Sequence, residues 1–273
     1  MSTLRRLLRR PLGAAGLVVL TLLVLASLAA PLIAPFDPAA VNLRAMQQPP
    51  GPEHLLGTDD LGRDVLTRLL YAGRVSLSLA ALVTGFAVVL GCTVGALAGF
   101  FGGWVDRLVS LAADSMLSVP ALGLAMVAGA LLRPNVLVLA IVLAVVTWPD
   151  LARITRAQVL TLRERTYAEA AQALGNTPVR VLFGHLMPNA LPPLVVAATL
   201  LSANVLLIES ALSFLGYGMR PPTPSWGGML FEAQAFYRQS PWLAVVPGVT
   251  ITLTVMAINL LGDALREAGG GRG

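Results

Sequence analysis

From Pro11 to Phe36 the chain carries no charged residue, and a second uncharged run extends from Ser76 to Phe101. Further apolar runs reach Leu132, Trp148, Gly216 and Leu261. A helix of about 20 apolar residues crosses the hydrocarbon core of a bilayer, so runs of this length and number predict a membrane protein of several helices. Composition agrees. Of 273 residues, 56% are hydrophobic and 12% are charged, against roughly 25% charged in a soluble domain, and the mean hydropathy is +0.77.

The same composition excludes several chemistries. All 19 basic residues are arginine; a phosphate-binding Walker A loop needs its lysine, so any ATP chemistry must come from another subunit. Cys92 is the single cysteine and excludes an intrachain disulfide. The only histidines, His54 and His185, lie far apart in sequence without a Cys/His cluster or an HExxH pattern, so neither a metal site nor a catalytic site is expected. A net charge of +5 could suggest nucleic acid, but in a membrane chain arginine mostly sets orientation.

Six spans are expected, with both termini in the cytoplasm. Residues 1–10 form a cytoplasmic N-terminus holding Arg5, Arg6, Arg9 and Arg10, and residues 11–36 form the first span. Small residues from Ala26 to Ala30 imitate a signal-peptide cleavage site, but the apolar run exceeds the usual 7–15 residues, so the span is read as retained. Residues 37–75 read as a periplasmic segment whose amphipathic stretch from Asp60 to Tyr71 lies along the interface, with Asp60 and Asp64 able to pair with Arg63 or Arg68 on the wet side. Residues 76–266 then hold five spans, and 267–273 a cytoplasmic tail. This topology puts most of the arginines inside, in line with the positive-inside rule.

Several positions inside the spans stand out. Gly91, Gly95 and Gly99 recur every four residues and bare one helix face for close packing, against another helix of this chain or of another subunit. Asp114 and Pro120 interrupt the third span, and a carboxylate near membrane depth is a candidate functional group, although a structural role, capping a helix or sitting at the inner headgroup level, is the favoured reading. The fifth span, Asn189 to Gly216, is the most polar. Its Ser202, Asn204, Glu209 and Ser213 suit a helix lining a passage, although serine and asparagine also bridge helices. With Asp114 they make up the candidate pathway or gating residues.

Between the fourth and fifth spans lies a polar island, residues 158–188, too long for a simple connection. Tyr167 to Leu174 is rich in helix formers, and Gly175 suits the left-handed position past a helix end. Thr177 then caps a second helix with Pro178 at its first position, expected to stop at Pro188. Such a helix–turn–helix on a membrane face is a shape for gripping a partner.

Glu169-Ala170-Ala171, Gly175 and Pro188 resemble the EAA loop of the permease subunits of ATP-binding-cassette importers. His185 and Met187 stand where the general pattern has Ile and Leu; histidine at the first of these is usual in the peptide and nickel permease branch. Three further patches resemble that branch: GTDDLGRDVLTRLLYAGRVSLSLA from Gly57 to Ala80, ALSFLGYGMRPPTPSWGGML from Ala211 to Leu230, and NLLGDALR from Asn259 to Arg266.

The resemblance implies the fold of a type I importer permease: all α, six transmembrane helices and a cytoplasmic coupling-helix loop. It implies a pore shared with a second homologous permease subunit in a bacterial or archaeal inner membrane. Two ATPase subunits would carry ATP and Mg below it, this chain holding no cofactor, and a periplasmic or lipid-anchored substrate-binding protein would sit above it. Coupling to the ATPase would fall to Glu169, Ala170, Ala171, Leu174, Gly175, Arg180, His185 and Pro188. Asp60, Arg63, Asp64 and Trp226 would be periplasmic contacts. The cargo would be di- or oligopeptides, with nickel chelates or another small solute as the alternative. A membrane-tethered DNA-binding regulator is a rival reading of the helix–turn–helix, weakened because its second helix offers only Asn176, Thr177 and Arg180 to bases and lies between two spans.

Overall fold

The computed structural model describes residues 10–131, 135–219 and 221–269. Arg5, Arg6 and Arg9, the end of the third span at Leu132 with Arg133, Arg220, and the glycine-rich tail with Arg272 therefore lie outside the described residues. The described residues are organised by the helices α1 (Pro11–Leu28), α2 (Val65–Phe101), α3 (Gly103–Leu117), α4 (Ala121–Leu131), α5 (Val136–Arg163), α6 (Thr166–Ala173), α7 (Pro178–Phe214), α8 (Trp226–Ala233) and α9 (Trp242–Gly269), with single turns at Ala30–Ile33 and Leu43–Ala45. Helices α1, α2, α5, α7 and α9 are each long and apolar enough to cross a membrane. Helices α3 and α4 make a sixth crossing only when taken together, as one span bent by 79°. Ser118 to Pro120 form the bend, where the proline disfavours helical geometry in the residue before it.

The tightest pairing joins α2 to α5, and the glycine stripe explains it. A methyl group at Gly95 would stand 2.3 Å from the Ala152 carbonyl oxygen, one at Gly91 2.8 Å from that of Trp148, and one at Gly99 2.7 Å from that of Arg156. The stripe thus serves a helix of the same chain. Gly16 of α1 plays the same part against α9, where an added methyl would lie 2.8 Å from the Ala257 oxygen. In lipid, where apolar surface is no longer expelled by water, such backbone proximity and its van der Waals contact hold helices together.

The larger core lies among α2, α5, α7, α8 and α9, with Leu79, Val83, Leu139, Leu143, Leu206, Leu212 and Trp226 buried in it. A smaller one, built by Ala96, Val159, Ala168, Ala171, Val181, Leu182 and Leu186, seats the polar island on α2 and α5. Arg10 pairs with Glu267, which brings the start of α1 and the end of α9 to one end of the bundle.

Three elements differ from the sequence expectation. The stretch from Asp60 to Tyr71 is not a separate interfacial helix; Asp64 accepts from Thr67 N at 2.7 Å and caps α2, which then runs unbroken to Phe101. The second island helix does not stop at Pro188. It continues into the fifth span through Leu182–Leu186, wound as a π-helix, and Pro188 falls in the first turn after it, where a missing N–H is tolerated. The Pro/Gly loop after Phe214 contains a helix, α8, capped by Ser225 accepting from Gly228 N at 3.1 Å.

Candidate transport and coupling sites

At the end of the bundle away from the island, the chain before α2 folds back on itself. Gln48 N donates to Thr58 Oγ1 at 2.8 Å, and the Thr58 hydroxyl donates to the Ala45 carbonyl. Gly62 has φ 72°, and a side chain there would collide with the Asn42 carbonyl, so the turn requires glycine. The segment is fastened by buried charges. Arg63 Nε lies 2.6 Å from Asp59 Oδ2, and its Nη2 3.0 Å from Glu232 Oε2 on α8. Arg68 on α2 reaches the same Glu232 oxygen at 2.8 Å and Asp59 at 3.2 Å. Two guanidiniums and two carboxylates thus lock the outer segment, α2 and α8 together.

The lock involves the residues expected as periplasmic contacts. Arg63, Asp64 and Trp226 are buried within the chain. Asp64 caps α2 and meets His54 Nδ1 at 2.9 Å. Trp226 donates from Nε1 to the Leu69 carbonyl at 3.1 Å. Only Asp60, 30% exposed, retains a solvent face. Burial follows from partners: each charge has an opposite charge or a backbone donor to meet, and the indole fills the junction of α2, α7 and α8. The carboxylates of Asp59, Asp60 and Glu232 converge, but Arg63 and Arg68 already occupy the space between them.

The candidate pathway residues separate into two groups. Glu209 and Ser213 are buried; Ser213 donates to Glu209 Oε1 at 2.8 Å and Ser76 to Oε2 at 3.3 Å. Ser76 also accepts from Trp226 N at 3.2 Å. These residues tie α2, α7 and α8 together and face no open space. Asn204, by contrast, is exposed and lines a groove of about 900 Å³ whose walls include Asp150, Arg153, Pro192, Pro193 and Arg266. Ser202 is half-buried and donates back to the Thr199 carbonyl at 2.7 Å. Asp114 is exposed and pairs with Arg153 of α5. Deeper in the same corner Asp106 pairs with Arg156, Arg156 Nη2 donating to Oδ2 at 2.6 Å, and clamps α3 to α5.

The island presents a divided surface. Gly175 has φ 78°, the left-handed conformation expected from its place, and Thr177 caps the next helix by accepting from Arg180 N at 3.4 Å. Glu169, Ala170, Gly175, Arg180 and Pro188 are exposed, His185 is half-buried, and Leu174 is 83% exposed. Ala171 departs from the expected contact face: with Ala168 it packs inward against the island's own core. The i, i+3 spacing puts both alanines on one side of α6, and that side is taken. Tyr167 on α6 and Val179 and Phe183 in the first turns of α7 are further exposed apolar side chains of the island. Glu232, which completes the outer lock, and Asp150 and Arg266 of the groove were not singled out from sequence; no motif marks them, and only the packing of distant helices brings them to these places.

An all-helical chain with this many crossings, a locked outer segment and an exposed helix–turn–helix at the opposite end is a polytopic membrane transport component. Residues 91–268 match the family described as the binding-protein-dependent transport system inner membrane component. Residues 2–50 match the N-terminal transmembrane domain of oligopeptide transport permease C. The chain is 38% identical to the dipeptide transport system permease protein DppC of Alkalihalophilus pseudofirmus, over 97% of this chain and 87% of the relative. It is 38% identical to the protein of that name from Haemophilus influenzae, over 93% and 88%. It is 39% identical to the di/tripeptide transport system permease protein DppC of Pseudomonas aeruginosa, over 93% and 86%. This chain belongs to the permease family of binding-protein-dependent, ATP-binding-cassette transport systems. Membership makes it a multi-pass inner-membrane permease subunit, working with an ATPase carried on separate subunits and with a substrate-binding protein. It also removes the DNA-binding rival.

Proposed function

We propose that this chain passes di- or oligopeptides across the inner membrane by alternating access, as one of two homologous permease subunits. The named relatives carry dipeptides or di- and tripeptides, which supports peptide over nickel chelate as the cargo. Two ATPase subunits would bind ATP and Mg on the cytoplasmic side, and a periplasmic or lipid-anchored binding protein would deliver the peptide. Both termini and the island would face the cytoplasm.

The observation that carries the coupling assignment is Leu174, an apolar side chain 83% exposed beside the Gly175 turn. Clustered exposed apolar groups rimmed by charge mark a partner surface. Leu174 would enter a cleft of the ATPase with Ala170 beside it, Gly175 would make the turn, and Glu169 and Arg180 would pair with charges at the rim, with His185 flanking and Pro188 leading into the span. Ala168 and Ala171 seat α6 on the chain's own core, so α6 and the π-wound turn would move as a body with α7 when the ATPases close.

The test is ATP-driven uptake of labelled dialanine in proteoliposomes holding the full set of subunits. Leu174→Asp is expected to cut uptake at least tenfold while membrane insertion and permease pairing survive, because the side chain makes almost no contact within its own chain. Unchanged uptake would remove α6 from the coupling path. Wild type that takes up no peptide of any length would refute the cargo.

A further inference from the structure

The groove at the island's end of the bundle holds two charges that nothing else uses. It is bounded by the polar end of α5, the first turns of α7 beyond Pro188 and the last turns of α9, and encloses about 900 Å³, within the range of small-molecule sites. Its walls are mostly apolar: Leu151, Ile154, Val196, Ala197, Leu200 and Leu201. Four polar side chains interrupt them. Arg153 is engaged by Asp114, and Asn204 offers a neutral amide. Asp150 and Arg266 are exposed, of opposite sign, and without an ion pair or side-chain hydrogen bond among the described residues. Elsewhere in the chain carboxylates and arginines are repeatedly drawn together, in the outer lock, at Asp106–Arg156 and at Asp114–Arg153. Here two complementary charges stand apart on the walls of one cavity.

We propose that this groove is a binding site for a short zwitterionic peptide, with the free amino group held at Asp150 and the free carboxylate at Arg266. The apolar wall takes the side chains. Arginine suits the carboxylate because its guanidinium donates two parallel hydrogen bonds, and an aspartate in a mostly apolar groove suits an ammonium. Recognition would rest on the termini and tolerate varied side chains. This inference rests on the peptide reading above.

The test is equilibrium binding, which separates the two readings because it uses the assembled permease–ATPase complex in nanodiscs without nucleotide and without the binding protein. Three labelled probes are compared: dialanine, N-acetyl-dialanine and dialanine amide. Asp150→Asn is expected to weaken dialanine about tenfold and leave N-acetyl-dialanine unchanged; Arg266→Gln is expected to weaken dialanine about tenfold and leave dialanine amide unchanged. The exchange Asp150→Arg with Arg266→Asp recovers dialanine binding with the peptide reversed. Variants that bind all three probes like wild type, or lose all three equally, overturn the proposal. Loss of complex assembly in both variants also overturns it, by making the groove a seat for the partner permease. If uptake of dialanine by wild type succeeds while this selectivity is missing, the cargo reading stands and the site is elsewhere.

Discussion

Single positions in this chain are decided by what lies within a few ångströms of them. Gly95 and Gly85 are both glycines of α2, yet an added methyl at Gly95 meets the Ala152 backbone at 2.3 Å, while one at Gly85 meets nothing within 4 Å. Gly95→Ala should therefore push α2 from α5 and lower stability by about 1–3 kcal/mol. Gly85→Ala should leave stability unchanged or raise it slightly, since alanine is the better helix former. Thermal unfolding of the purified protein in detergent measures both, and equal behaviour of the two would contradict the close approach. Gly175 makes a different case. Space around it is open, and only its φ of 78° resists a side chain, so substitutions there strain the turn without a clash.

Among elements, the outer lock has the largest expected consequence. Glu232 serves Arg63 and Arg68 at once, and both arginines are buried. Glu232→Ala leaves two guanidiniums with Asp59 and Asp60 alone, which should cost about 3 kcal/mol. The loss should show as faster protease cleavage between residues 34 and 64, with cleavage at the island unchanged. Cleavage rates matching wild type would mean that the segment is held by its backbone turns instead. The α3–α4 pair shows how an element escapes one-dimensional reading. Asp114 and Pro120 signal an interruption, but neither the 79° bend nor the pairing of α3 with α5 through Asp106–Arg156 and Asp114–Arg153 can be read from one stretch of sequence.

At the scale of the whole molecule, Arg10–Glu267 joins the two ends of the described chain, and Arg266 also lines the groove beside α5 and α7. Both ends and the island thus share one end of the bundle, which requires an even number of crossings and makes α3–α4 one of them. With Cys92 replaced by serine, a membrane-impermeant maleimide added to spheroplasts should label Glu53→Cys on the outer segment and leave Glu164→Cys at the island unlabelled until the cells are opened. Labelling of both from outside would defeat the topology, and the reverse pattern would invert it.

Much of the architecture was legible in the sequence because it depends on local properties. Apolar run length marks the spans, Asn135 caps α5 as its position before the run suggests, and Gly175 and Thr177–Pro178 announce the island's turn from neighbouring residues. The family resemblance rested on such local patches. Tertiary structure alone decided what each patch faces. The stripe at Gly91, Gly95 and Gly99 could serve any helix until α5 was set against it. Arg63 and Arg68 read as part of a wet surface until Glu232, more than 160 residues later, met both and held them inside. Ala171 looks like a contact residue until the island folds onto α2 and α5. In a membrane chain almost every span is apolar around its whole circumference. Its pattern therefore states that a helix forms and inserts, but not which face meets protein. That choice belongs to backbone proximity and to charges far apart in sequence, and it is made only when the helices pack.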